Sequence, residues 1–184
     1  MKSIFLTGFL TAALMVAGAA TGAAGNAPKS DAEIEKAVTH ELRMYPRYTI
    51  WDDVNFRVAN GQVELFGAVS QPFKKADMER IVSRVPGVTS LTSELKVLPL
   101  SSFDDRLRIQ IARAIYGYPA LSRYALGANP PIHIIVDNGH VTLTGWVNSD
   151  MDKQIAGMRA SGAGLSFGAV TNNLQVEHPT AKRG

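Results

Sequence analysis

The chain has 184 residues, no cysteine, and a net charge of only +3 from 19 basic and 16 acidic side chains. Without cysteine there is no disulfide and no lipid-modified cysteine, so the fold has to stand on its apolar core. The basic excess sits at the ends, in Lys2, Lys29, Lys182 and Arg183, and the interior is balanced. No basic stripe of the kind that tracks a nucleic-acid backbone runs through it.

Residues 1–25 read as a leader. Lys2 gives a positive start, Ile4 to Ala17 is apolar and uncharged, and Ala17-Gly18-Ala19 and Thr21-Gly22-Ala23 offer small residues at a cleavage site. That is the pattern of a cleaved secretory signal peptide. It is short for a span of about 20 residues and lacks a basic stop-transfer flank. The expected destination is outside the cytoplasm, the periplasm in a Gram-negative source.

The rest of the chain repeats itself. Asn60-Gly61-Gln62-Val63-Glu64-Leu65-Phe66-Gly67 returns as Asn138-Gly139-His140-Val141-Thr142-Leu143-Thr144-Gly145, an offset of 78. Asp31 to Pro46 returns as Asp104 to Pro119 at offset 73, and Leu95-Lys96-Val97 as Leu174-Gln175-Val176 at offset 79. Three blocks recurring in one order mean that a whole structural unit is duplicated. Units of roughly 70 residues are marginal alone, so the copies are expected to pack on each other or on a partner.

Each unit opens with a helix. Ile34, Ala37, Val38, Leu42 and Tyr45 share one face, with Ser30 or Asp31 as cap, and Leu107, Ile111, Ala114, Ile115 and Tyr118 repeat that face. Pro46 and Pro119 stop both helices. A hairpin follows. Val54, Phe56 and Val58 alternate with polar positions up to Asn60-Gly61, and Ile132, Ile134 and Val136 up to Asn138-Gly139; asparagine-glycine supplies the positive-φ pair of a type I′ turn. Gly67 and Gly145 take matching inward positions, where close approach of a helix is expected. A second helix presents Met78, Ile81, Val82 and Val85, capped by Ser70, and in copy two Met151, Ile155 and Met158, capped by Ser149. A final strand, Leu91 to Val97 and Val170 to Val176, closes each unit. The β-α-β crossover should be right-handed, making the second and third strands parallel.

The fold class is therefore α+β: two αββαβ units, each a small three-stranded mixed sheet with two helices on one face. That order, the asparagine-glycine hairpin with Val-x-Leu-x-Gly-x-Val, and the closing Val-x-Asn-x-Leu-x-Val resemble the BON domain, in tandem as in osmotically inducible periplasmic proteins. The resemblance covers residues 30–98 and 101–178, with 179–184 as a disordered tail. Copy one departs at Ser93, where copy two has Asn172, and copy two carries about five inserted residues between Pro119 and Ile132.

Reaction chemistry finds little footing. Gly164-Leu165-Ser166-Phe167-Gly168 matches a nucleophile elbow, but here the helix precedes and the strand follows, the reverse of that turn, and only Glu177 and His178 lie downstream. His40, His133, His140 and His178 lack ligand spacing, although His133 and His140 could be cross-strand neighbours on the solvent side of a hairpin. Asp52-Asp53 and Asp104-Asp105 read as turn and capping pairs. No metal and no cofactor is expected, and the protein is expected not to be an enzyme.

Surfaces carry more. Phe66 and Trp146 point away from the helices, which suggests either a contact surface or the face on which the two units meet. The inserted loop brings Arg123, Tyr124 and Leu126; the matching connection in copy one brings Arg47, Tyr48 and Trp51. Such tips suit a membrane interface, with tyrosine among headgroups and arginine on phosphate, or the covering of the core's edge. The resemblance implies contact with phospholipid surfaces or envelope proteins, under envelope or osmotic stress. The expected function is a non-catalytic exported binding protein on an anionic phospholipid surface; the alternative is a scaffold module docking on an envelope protein complex.

Overall fold

The computed structural model describes residues 29–127, 129–164 and 168–177. The expected leader, the serine Ser166, His178 and the tail 179–184 lie outside the described residues. Two αββαβ units follow in order. The first comprises α1 (Asp31–Arg43), β1 (Asp53–Ala59), β2 (Gln62–Val69), α2 (Pro72–Ser83) and β3 (Ser90–Val97). The second comprises α3 (Ser102–Tyr116), a 3-10 turn (Ser122–Ala125), β4 (Ile132–Asp137), β5 (His140–Val147), α4 (Asp150–Ser161), β6 (Thr171–Asn172) and β7 (Gln175–Val176). β1 and β2 are antiparallel and β2 and β3 parallel, and β4, β5 and β6 repeat that order. Among the described residues no helix is long and apolar enough to cross a membrane.

Local chemistry sets the ends of these elements. Ser30 and Glu33 close a capping box on α1, and Ser101 and Ser149 cap α3 and α4. Ser70 does not cap α2; the position falls to Gln71, which makes no side-chain bond, because the Ser70 hydroxyl is engaged with Asp52 and Lys74. Both hairpins turn at the positive-φ pair, with φ of 53° and 75° at Asn60-Gly61 and 51° and 78° at Asn138-Gly139. The first acid of each unit does more than cap. Asp31 accepts from Asn60 N and Gly61 N at 2.7 and 2.8 Å, and Asp104 from Asn138 N and Gly139 N at 2.9 and 2.8 Å. Each carboxylate pins a helix start to a hairpin tip, and Asp104 is buried in doing so.

Gly67 and Gly145 serve a different purpose from the one expected. Their φ values are 115° and 98°, and a Cβ would lie 2.1 Å from the Asp53 carbonyl oxygen and 1.9 Å from that of Pro131. The close neighbour is the adjoining strand's backbone, not a helix.

Each unit has its own core, one around Ile34, Val38, Leu65, Met78 and Val82, the other around Ile111, Ile115, Ile132, Ile134 and Leu143. Two local expectations fail in the second unit. Met151 and Met158 are 69% and 65% exposed, while Asp152, Ala156 and Ala160 face inward. Small residues fit there because α4 sits close to the last strand, with the Asn172 amide nitrogen 2.8 Å from a Cβ placed at Gly157. The last strand is also broken in two. Asn172 donates to the Lys153 carbonyl and accepts from Leu174 N, drawing the backbone off the ladder. Ser93, which is too short for this, leaves β3 continuous.

Two substitutions test these constraints. Gly145→Ala should destabilise by about 2 kcal/mol or more, from the positive φ and the carbonyl clash together. Asp104→Asn should cost about 1–3 kcal/mol by weakening two charge-assisted bonds. Thermal unfolding followed by circular dichroism reads both, and an unchanged Tm in either variant contradicts the role given to that residue.

Candidate functional site

Two buried charge networks hold the corners from which the candidate surface residues project. In the first unit the fully buried Asp52 accepts from Lys74 Nζ at 2.6 Å, from Thr49 N and Oγ1 at 2.9 and 2.7 Å, and from Ser70 N and Oγ at 2.7 and 2.8 Å. Burial alone would raise the Asp52 carboxyl, but Lys74 and these hydrogen bonds outweigh it and hold it below the usual aspartate range. In the second unit the residue at the Lys74 position is Asp152, at offset 78. It is equally buried and accepts from Arg123, from Tyr124 Oη at 2.9 Å and from Ser149 Oγ at 2.8 Å. The sign of the helix-borne charge is reversed between copies. The corner is tied in the same place, through Ser70 N in one unit and Asn148 N, which donates to Tyr124 Oη at 2.8 Å, in the other.

The eight candidate contact residues divide accordingly. Tyr124 is buried, and Arg123, half exposed, is paired to Asp152 with its guanidinium 4.9 Å above the Tyr124 ring. Tyr48 is half-buried, its hydroxyl accepting from Val54 N at 3.4 Å. Trp51, with Ile50, packs into the second unit's core. The rings of Tyr48, Trp51 and Tyr124 are thus taken up inside the protein. Arg57 covers Phe66 at 4.7 Å. Arg47, Leu126 and Trp146 remain at the surface, with Leu126 78% and Trp146 57% exposed.

Sequence reasoning missed Phe73, which is 46% exposed and lies 5.3 Å under the Arg47 guanidinium. Met151 occupies the Phe73 position in copy two. The signal was present as an apolar residue at the first turn of the second helix in both repeats.

The two units touch through several polar contacts. Ile134 N donates to the Ile50 carbonyl at 2.7 Å, Asn129 Nδ2 donates to the Arg43 carbonyl at 3.2 Å, and Lys96 pairs with Asp137. Between them runs a cleft of about 780 Å³, with Arg43 and Phe56 on one side and Pro130, His133, Thr144 and Trp146 on the other. His133 and Thr144 are cross-strand partners, whereas His140 pairs with Asp137, so the two histidines are not neighbours. Nor does His133 face solvent. Its ring stacks at 5.4 Å on Tyr48, and burial pushes the imidazole down against the opposing pull of Asp53, Asp52 and the backbone of Asp52 and Thr49. Among the described residues no group of three or more His, Cys, Asp or Glu is placed to hold a metal.

The BON domain model matches residues 30–99 and 120–178, together more than half of the chain. A comparison with curated proteins returned no match. Among solved structures the chain is similar to the C-terminal domain of CdsD, a structural protein of the type III secretion system of Chlamydia trachomatis, with 13% identity and a TM-score of 0.31 over 81% of this chain and 67% of that one. A second CdsD structure gives 17% identity and a TM-score of 0.30 over 80% of this chain and 93% of that one.

The acid response follows from His133 and Asp52. Both have folded-state pKa values below their ordinary ones, so the unfolded chain binds more protons and stability falls as pH falls. The His133 contribution is fully present above the ordinary histidine pKa of about 6.5 and declines below it; that of Asp52 declines only below the ordinary aspartate pKa of about 3.9. His133→Gln should remove the first decline and leave the second, as measured by urea unfolding across pH; an unaltered profile would rule out the histidine.

Proposed function

Because the chain belongs to the BON domain family, we propose that it is a non-catalytic binding protein of the cell envelope, exported by its leader and associating peripherally with anionic phospholipid. The observation that carries this reading is that both repeats expose an apolar side chain at the same place, which in the first lies under an arginine. Phe73 sits with Arg47, and Met151 adjoins Asp152, to which Arg123 is paired. Met44, 66% exposed, lies in the same connection as Arg47, and Leu126 in the same connection as Arg123. An apolar residue can enter the headgroup layer while a neighbouring guanidinium meets phosphate.

The magnitude is modest. Two arginines contribute about 1 kcal/mol each near an anionic surface. Partial insertion of Phe73 and Met151 adds about 1 kcal/mol each. A sum of about 4 kcal/mol corresponds to a dissociation constant near millimolar in accessible lipid. Such an association is reversible and sensitive to salt.

Flotation with phosphatidylglycerol vesicles at low salt is the test. The full chain should co-float, lose much of that binding at high salt, and lose it also in the Phe73→Ser/Met151→Ser variant. Absence of co-flotation, or binding indifferent to both salt and the double substitution, would overturn the lipid reading.

A further inference from the structure

A second surface follows from the hydrogen bonds that the two sheets leave open. In β4 the Trp146 N–H bonds the Pro131 carbonyl at 3.0 Å, which sets the alternation: His133, Ile135 and Asp137 face β5, and Ile132, Ile134 and Val136 turn their backbone groups outward. Three of the six outward groups on that edge have partners. Tyr116 Oη donates to the Ile132 carbonyl, Ile134 N donates to the Ile50 carbonyl at 2.7 Å, and Arg108 Nη2 donates to the Val136 carbonyl at 2.6 Å.

β1 holds the same place in the first unit. The tight turn after Ala59 directs Asp53, Asn55, Arg57 and Ala59 towards β2, so Val54, Phe56 and Val58 face outward. Val54 N donates to Tyr48 Oη, but among the described residues nothing bonds the N–H and C=O groups of Phe56 and Val58 on this edge. Glu35 stands where Arg108 stands, at offset 73, and an ionised carboxylate has no proton to give a carbonyl. The Val54–Phe56 end of this edge lines the inter-unit cleft, and Val58 continues the edge beyond it.

We propose that this cleft binds an extended peptide segment of a partner protein, which adds to β1 as a further strand. Two observations choose that occupant. The vacant groups are alternating donors and acceptors at the spacing of an extended backbone, which another strand matches in series. The protein also bonds the equivalent edge in its second unit with a piece of chain: the Ile50 carbonyl sits on Ile134 N, with Ile50 and Trp51 delivering apolar side chains to the core beside it. The peptide should be uncharged. The charged groups lining the cleft are Arg43 and Asp53, of opposite sign, and Asp53 already accepts from Asn55 Nδ2 at 3.1 Å. Apolar side chains at alternate positions would lie against Trp146 and Phe66. The site is distinct from the lipid-facing tips, since neither Phe73 nor Met151 lines it, so either reading can fail without the other.

The test titrates the full chain, labelled with nitrogen-15, with acetyl-Thr-Val-Thr-Val-Thr-amide, and in parallel with the same peptide N-methylated at alternate residues. The expected result is a shift of the Phe56, Val58 and Trp146 indole signals, with amide exchange at Phe56 and Val58 slowed about tenfold or more, and no such effect from the N-methylated peptide. Phe56→Pro, which removes an outward N–H tolerated at a strand edge, should abolish the response; should that variant misfold, the N-methylated peptide still decides on the unaltered protein. No response at millimolar peptide overturns the proposal, as does an equal response to both peptides. Protection of Phe56 and Val58 that grows with protein concentration alone assigns the edge to a second copy of this chain and likewise overturns it.

Discussion

A strand at the edge of a sheet carries backbone groups that cannot stay unsatisfied once water is excluded. Both repeats meet this constraint at the first strand of their hairpin and answer it differently. The second unit partners three of its outward groups, with a tyrosine, an arginine and one carbonyl borrowed from the other unit. That borrowed carbonyl, at Ile50, belongs to a turn whose next residue, Trp51, packs into the second core. The connection preceding β1 is therefore structurally part of the second unit. Domains this small bury too little of their own surface to be robust alone, and sharing a turn in this way gives each copy a larger effective core.

The same turn explains why a charge is buried at Asp52. Thr49 to Trp51 can bridge to the second unit only if the chain leaving α1 is held still, and Asp52 ties it to both Thr49 and the start of α2. In copy two the corresponding connection is longer, yet the corner N–H is still satisfied, now by Tyr124 on the 3-10 turn. Duplication preserved the requirement that a buried corner amide and a buried charge both find partners. It did not preserve the sign of the charge: ammonium on the helix and carboxylate in the loop became carboxylate on the helix and guanidinium in the loop.

What the sequence disclosed and what it hid divide along the same line. Asn60-Gly61 and Asn138-Gly139 declared the hairpins because a type I′ turn is a local demand on two residues. Ser30 or Asp31 as cap, and the apolar stripes of α1 and α3, declared the helices for the same local reason. The pairing of Lys74 with Asp52 joins residues far apart along the chain and leaves no periodic trace. Nor could alternation reveal that Gly67 and Gly145 answer to carbonyls of the neighbouring strand. The stripe Met151, Ile155, Met158 looked like a core face, whereas α4 lies too close to the sheet for methionine and turns alanine inward. Of the eight candidate contact residues, Arg47, Leu126 and Trp146 stand at the surface, and strand alternation was the signal for Trp146. Residue type could not foresee that Tyr48, Trp51 and Tyr124 close the joints of the protein itself.

Where the repeats agree, they agree about folding: the acid on the hairpin tip, the asparagine-glycine turn, the positive-φ glycine against the neighbouring strand's carbonyl. Where they differ, the differences include the helix-borne charge, the inward face of the second helix and the last strand, and also one strand edge and one connection on the side where the two units face each other. A pair of copies that served only to double a single surface would have no need to close one edge with arginine and leave the other with glutamate. The substitution of Glu35 for the arginine seen in the second copy leaves the Val58 carbonyl without that donor, and among the described residues the turn that bonds the β4 edge has no counterpart against β1. The asymmetry at this edge is what singles out the first unit's β1 for the proposed peptide.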